Sequence, residues 1–184
     1  GLGTTGGMLD ELELQFCALG MAVLTVSDSR DRTSDRSGDL LCARLQAAGH
    51  DLVSREIVVD DRYRIRAAIS GWIADESIRV ILITGGTGFS GRDTTPEAVG
   101  PLLDRRVEGF GELFRQLSFA EVGSSTLQSR AFAGLANDTL LACLPGSTGA
   151  CRTAWDGILA EQLDVRHRPC NLAELVLTRA QGGG

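Results

Sequence analysis

Residues 20–26, GMAVLTV, form a short apolar run rich in β-branched side chains that stops at Ser27-Asp28. A run of that length followed by a polar loop predicts a buried strand. The apolar period then changes: Leu40, Leu41, Ala43, Leu45 and Ala48 gather on one side of a helix that Ser37 can cap and Gly49 can end. Residues 52–59 return to a strand pattern. Asp60-Asp61 next offers N-cap chemistry for a helix whose Ile65, Ile69, Trp72 and Ile73 fall at i, i+4, i+7 and i+8. Residues 78–84, IRVILIT, are a continuous β-branched run, the pattern of a strand covered on both faces.

Beyond a glycine-rich turn at 85–91, Thr95 can cap a helix with Pro96 in its first position and Glu97 adding favourable charge. Residues 110–122 and 124–135 are both expected to be helical, and 139–144 to be a strand. Pro145-Gly146-Ser147 then leads into a helix running to Leu163. The alternation predicts one compact α/β domain over residues 20–171, with a mostly parallel sheet and helices on both faces. Residues 1–19 and 172–184, glycine-rich at their extremes (1–7 and 182–184), are expected to be a flexible leading segment and a tail. Phe110, Phe114, Leu117 and Phe119 supply more apolar bulk than one helix face needs, which suits either core packing or a subunit interface.

Composition narrows the function classes. A chain of 184 residues is long enough for one core, and 43% hydrophobic against 23% charged residues excludes whole-chain disorder. The net charge is −6, and every one of the 18 basic side chains is Arg; there is no Lys. Such a chain has no basic stripe for a nucleic-acid backbone, so an anionic ligand has to be held by backbone N–H groups, single Arg side chains or a divalent cation. Five cysteines, odd in number and without a C-x-x-C pair, sit mostly inside apolar patterns where a small buried thiol is expected, which fits a reducing cytoplasm. No long apolar run or basic-then-apolar leader stands in the sequence, so neither a membrane span nor a secretion signal is expected.

Ligands of open α/β sheets bind beyond the carboxyl ends of the strands. Four segments should meet there: Ser27-Asp28, Asp60-Asp61, the stretch 84–95, and Pro145-Gly146-Ser147. Gly86-Thr87-Gly88-Phe89-Ser90-Gly91 matches the dinucleotide fingerprint by letter, but that motif needs its third glycine to open a helix, and here Arg92 to Pro96 intervene. A phosphate-binding loop of the lysine type fails for want of Lys. The remaining readings are a turn whose backbone N–H groups, with the Thr87 and Ser90 hydroxyls, hold phosphate, or a plain tight surface loop.

Asp93 directly behind an anion-binding turn suits a divalent cation that bridges phosphates; an Arg92-paired acid or a helix cap is the alternative. Asp60 offers a second carboxylate or a helix cap, and Ser147 an anion site or a cap. Ser129-Arg130 can present a guanidinium to phosphate or simply be solvated. His50 and His167 are expected to be solvated.

Several stretches together resemble the molybdenum cofactor biosynthesis proteins of the MoaB and MogA type, and the MoaB branch most. They are LTVSDSR (24–30), VVDDRYRIRAAI (58–69), LITGGTGFSGRDTTPEAV (82–99), EGFGELFRQLSF (108–119), SSTLQSRAFAG (124–134), LPGSTGACRTAW (144–155) and RPCN (168–171). The resemblance implies a largely parallel α/β domain that assembles as a homotrimer or homohexamer. It implies Mg²⁺-dependent adenylylation of molybdopterin by ATP with release of pyrophosphate, or else a pterin-binding assembly role without catalysis. Carried over by position, it places the two functional, metal-holding carboxylates on Asp60 and Asp93. Substrate contacts fall on Ser27, Asp28, Gly85, Gly86, Thr87, Gly88, Ser129, Pro145, Gly146 and Ser147.

Overall fold

The computed structural model describes residues 14–177. Its apolar runs become six strands, β1 (Gly20–Val26), β2 (Asp51–Val58), β3 (Val80–Thr84), β4 (Arg105–Arg106), β5 (Phe132–Ala136) and β6 (Thr139–Leu144). They form one sheet in the order β2-β1-β3-β6-β5-β4. The first four strands in that order are parallel neighbours; β5 and β4 join antiparallel. The central β3 and β6 are buried at every position, as their unbroken apolar runs predict.

Side chains alternate between the two faces of the sheet, so two apolar cores result. On one face Met21, Val23, Val80 and Leu82 pack against helix α1 (Arg36–Ala47) through Leu41 and Leu45. The same core takes in Phe110 and Phe114 of helix α4 (Glu108–Val122). On the other, Ala22, Leu24, Ile81 and Ile83 meet Ile65, Ile69 and Trp72 of α2 (Arg62–Ala74) and Ala98 and Val99 of the short α3 (Thr95–Val99). The expected single α/β body with helices on both faces is thereby found.

Several local expectations are corrected. Residues 124–135 are not a helix: a 3-10 segment, Gly123–Gln128, gives way to β5, which turns back on β6 through Asn137 and Asp138. Both of those residues have positive φ (50° and 61°), the backbone that a tight hairpin demands and that Asn and Asp tolerate. FAGLA has weak strand propensity of its own, and pairing with the fully buried β6 overrides it. Helix α1 is capped by Asp35, not Ser37: the Asp35 carboxylate accepts from the Gly38 amide. On the same helix Cys42 is buried while Ala43 faces outward, as does Ala48 just past its end. Asp61, not Asp60, caps α2, and Thr94 holds the N-cap position of α3. The helix after Pro145-Gly146 comes in pieces, α5 (Thr148–Ala154), a π turn (Trp155–Leu159) and α6 (Ala160–Gln162).

The ordered body also exceeds the expected 20–171 span. Leu19 is buried in the core, and a last helix, α7 (Ala173–Leu177), buries Ala173 and Val176 there. These contacts rest on one or two side chains each, too few to show a period in sequence. The glycine-rich stretches 1–7 and 182–184 lie outside the described residues. His50 is buried rather than solvated: its Nδ1 accepts from the Leu19 amide, and its ring lies between Phe16 and Trp155. Of the four apolar side chains flagged on α4, Phe110 and Phe114 enter the core, Leu117 is half-buried and Phe119 is exposed. Among the described residues no helix is long and apolar enough to cross a membrane.

Candidate phosphate-binding site

From β1 the sheet grows to β2 on one side and to β3 on the other, so the carboxyl ends of the parallel β1 and β3 bound a crevice where the strand order reverses. The glycine turn fills it. Gly85 (φ +106°) and Gly86 (φ +70°) lie where side chains are disfavoured, and a Cβ on Gly85 would stand 2.1 Å from the Val26 carbonyl oxygen. The Gly85 amide is tied to the Leu144 carbonyl at the end of β6, and the Thr95 hydroxyl donates to the Gly85 carbonyl. A cleft of about 460 Å³ opens in front of this turn. Ser27, Gly85, Gly86, Thr87 and Gly88 line it on the β1 and β3 side, with Asp93 beside them. Ser129, Pro145 and Gly146 close the opposite side. Three of the four segments expected to meet line the cleft; Asp60-Asp61 does not, and Asp60 touches the turn from behind.

Not every candidate faces the cleft. Asp60 is buried behind the turn: its Oδ1 accepts from the Thr94 amide and hydroxyl, and its Oδ2 lies 2.9 Å from where a Gly86 Cβ would stand. Asp28 turns outward. It takes a bidentate pair of hydrogen bonds from Arg92 (2.7 and 2.9 Å) and also accepts from the Asp60 amide. Those bonds, Arg92 first and the Asp60 amide second, hold its pKa down to about 2, with desolvation acting the other way. Asp93 lines the cleft, with Oδ2 accepting from the Ser90 amide. Ser147 caps α5 by accepting from the Ala150 amide.

Arg130 is neither a phosphate hand nor a solvated side chain. Its guanidinium donates to the carbonyls of Gly88 and Asp93 and to Glu97, and it lies 5.1 Å over the Phe89 ring. It braces the glycine loop from behind. The residue that sequence reasoning passed over is Arg30, which lines the cleft and donates from Nη1 to the Gly146 carbonyl at 2.9 Å. Arg30 closes the stretch LTVSDSR, but neither that stretch nor the resemblance it carries assigns the residue a role; only the fold shows which way it turns.

The sequence and the fold have known counterparts. Residues 22–165 match a family described as a probable molybdopterin binding domain. The chain belongs to that family. Within the molybdopterin-binding family it is 55% identical to molybdenum cofactor biosynthesis protein B of Escherichia coli K12, over 89% of this chain and 96% of the relative. It is 43% identical to the protein of the same name from Bacillus cereus, over 77% and 84%. A crystal structure of molybdenum cofactor biosynthesis protein B superposes with a TM-score of 0.81 at 37% identity, covering 90% of this chain and 98% of that one. The tungsten cofactor synthesizing protein MoaB from Pyrococcus furiosus superposes at 0.71 with 34% identity, over 78% and 92%.

Proposed function

We propose that the protein acts in molybdenum cofactor biosynthesis in the cytoplasm, binding molybdopterin in the glycine-turn cleft and adenylylating it with ATP. The observation that carries the reading is the turn itself. Positive-φ glycines pressed against β1 leave a concave, side-chain-free backbone at the sheet's switch point, where phosphate oxygens can approach N–H donors directly. The family's description and the relatives' names supply the pterin.

In the proposed reaction a terminal phosphate oxygen of molybdopterin attacks the α-phosphorus of ATP, forming a new P–O bond. The bond to the β-phosphate bridge breaks, and pyrophosphate leaves. Asp93, in the cleft wall, and Asp60, behind the turn, would hold Mg²⁺. Each has one oxygen engaged by an amide and one remaining, which fits a cation that takes one or two carboxylates and completes its shell with water and substrate phosphates. Bound there, Mg²⁺ would neutralise charge on the phosphates. The protein's share is to orient two anions on the turn, with Thr87 and Ser27 beside them.

A second reading has its own support. Both carboxylates already serve the fold, Asp60 by fixing the start of α3 and Asp93 by closing the turn 90–93. A pterin carrier without catalysis would need nothing more of them. Purified protein with molybdopterin, ATP and Mg²⁺, followed for adenylyl-molybdopterin and pyrophosphate, separates the two. Asp93→Ala is expected to cut turnover by roughly 10² to 10³, the usual effect of removing one preorganised charged group, while keeping most pterin binding. Turnover near that of the wild type in the variant would refute the role of Asp93; binding without turnover in the wild type would leave the carrier.

A further inference from the structure

The arginines around the cleft are not equivalent. Arg92 is bidentate on Asp28, Arg130 is held by Glu97 and two carbonyls, and Arg55 bridges Asp35 and Asp39. Arg30 has no carboxylate partner among the described residues. Its bonds run only from Nη1, to the Gly146 carbonyl and, at 3.5 Å, to the Ser37 hydroxyl. The rest of the guanidinium fork makes no hydrogen bond among the described residues; Arg30 stands between this cleft and the groove beside β2, and it is the one cationic side chain lining the cleft among the described residues. Its backbone is set in place too: the Ser27 hydroxyl accepts from the amides of Ser29 and Arg30, coiling the loop that leaves β1.

We propose that Arg30 is the specificity-determining anion hand of this site, the group that makes the cleft prefer a ligand ending in a phosphate monoester over the same ligand without it. The inference rests on the reading of the cleft as a pterin site and adds which residue reads the phosphate. The glycine amides offer partial charges only, and two carboxylates stand nearby. Beside any cation those carboxylates hold, a dianionic phosphate placed against the turn is matched by a full positive charge from the protein itself. A guanidinium fork anchored at one nitrogen and open at the others supplies it with geometry matched to two phosphate oxygens. The anchor on Gly146 also means that the hand is aimed before the ligand arrives.

A simple structural role is separable, because the Gly146 carbonyl has a second donor. The Ser37 hydroxyl reaches it at 2.7 Å. If Arg30 merely steadied the Pro145-Gly146 turn, removing Ser37 would imitate removing Arg30.

The experiment is calorimetric binding of molybdopterin and of dephosphorylated molybdopterin to the wild type, Arg30→Gln, Arg30→Lys and Ser37→Ala. The wild type should favour the phosphorylated pterin by about 10- to 100-fold, the range of one or two hydrogen bonds to a charged group. Arg30→Gln should bring the two pterins to within a few-fold of each other by weakening only the phosphorylated one. Arg30→Lys should restore part of the preference, and Ser37→Ala should keep it whole. Equal loss of both pterins in Arg30→Gln, or the same loss in Ser37→Ala, would overturn the proposal and leave Arg30 a strut. An undiminished preference in Arg30→Gln would overturn it as well. A wild type that binds neither pterin would instead fail the functional reading on which the proposal rests.

Discussion

At the scale of single residues the site depends on positions where no side chain fits. Gly85→Ala would put a methyl group 2.1 Å from the Val26 carbonyl oxygen at a φ of +106°. The expected result is a loss of at least about 1–3 kcal/mol of stability, read as a lower urea midpoint, together with weakened pterin binding. An unchanged midpoint would mean that the turn relaxes freely and is not preorganised. These glycines were legible in the sequence because a dense Gly turn after an apolar run has few structural uses. Asp60 and Asp61 were less so: both can cap a helix, and only the fold shows that Asp61 caps while Asp60 reaches across to Thr94. Arg30 was not legible as a cleft residue, since its place is set by a contact with Gly146, more than a hundred positions away.

At the scale of elements, the parallel half of the sheet could be read directly, because β1, β3 and β6 are long enough and apolar enough to have no competing pattern. The antiparallel β5 could not, since the FAGLA segment takes its conformation from its neighbour. That misreading matters for the site, because the link between the 3-10 segment and β5 carries Ser129 into the cleft wall and Arg130 behind the glycine loop. Arg130→Met keeps the apolar stem over Phe89 but leaves the carbonyls of Gly88 and Asp93 and the Glu97 carboxylate without their donor. A loss of about 2 kcal/mol is expected, with faster amide exchange in residues 86–94 than in β1 or β6. Uniform acceleration across the sheet would show that Arg130 stabilises the whole fold and not this loop.

At the scale of the whole molecule, His50 joins the stretch before β1 to the π turn. Burial holds its pKa below the ordinary 6.5, with Asp164 and Asp51 pulling the other way. The fold therefore keeps imidazole neutral while the unfolded chain takes up a proton. Its contribution is complete above pH 6.5 and is lost as pH falls below that value, until the folded-state pKa is passed. Denaturant midpoints between about pH 7 and pH 5 should fall more steeply for the wild type than for His50→Gln; parallel curves would remove His50 from the account. A different coupling runs through the site. The Arg92 side chain holds Asp28, Asp28 holds the Asp60 amide, the Asp60 carboxylate holds Thr94, and Thr94 lies two residues from Arg92. The loops after β1, β2 and β3 are thus clasped in a closed circuit. A survey of single substitutions would register Arg92, Asp28, Asp60 and Thr94 as four sensitive positions, but once one link is cut the others have little left to lose, and the four are one vulnerability seen four times.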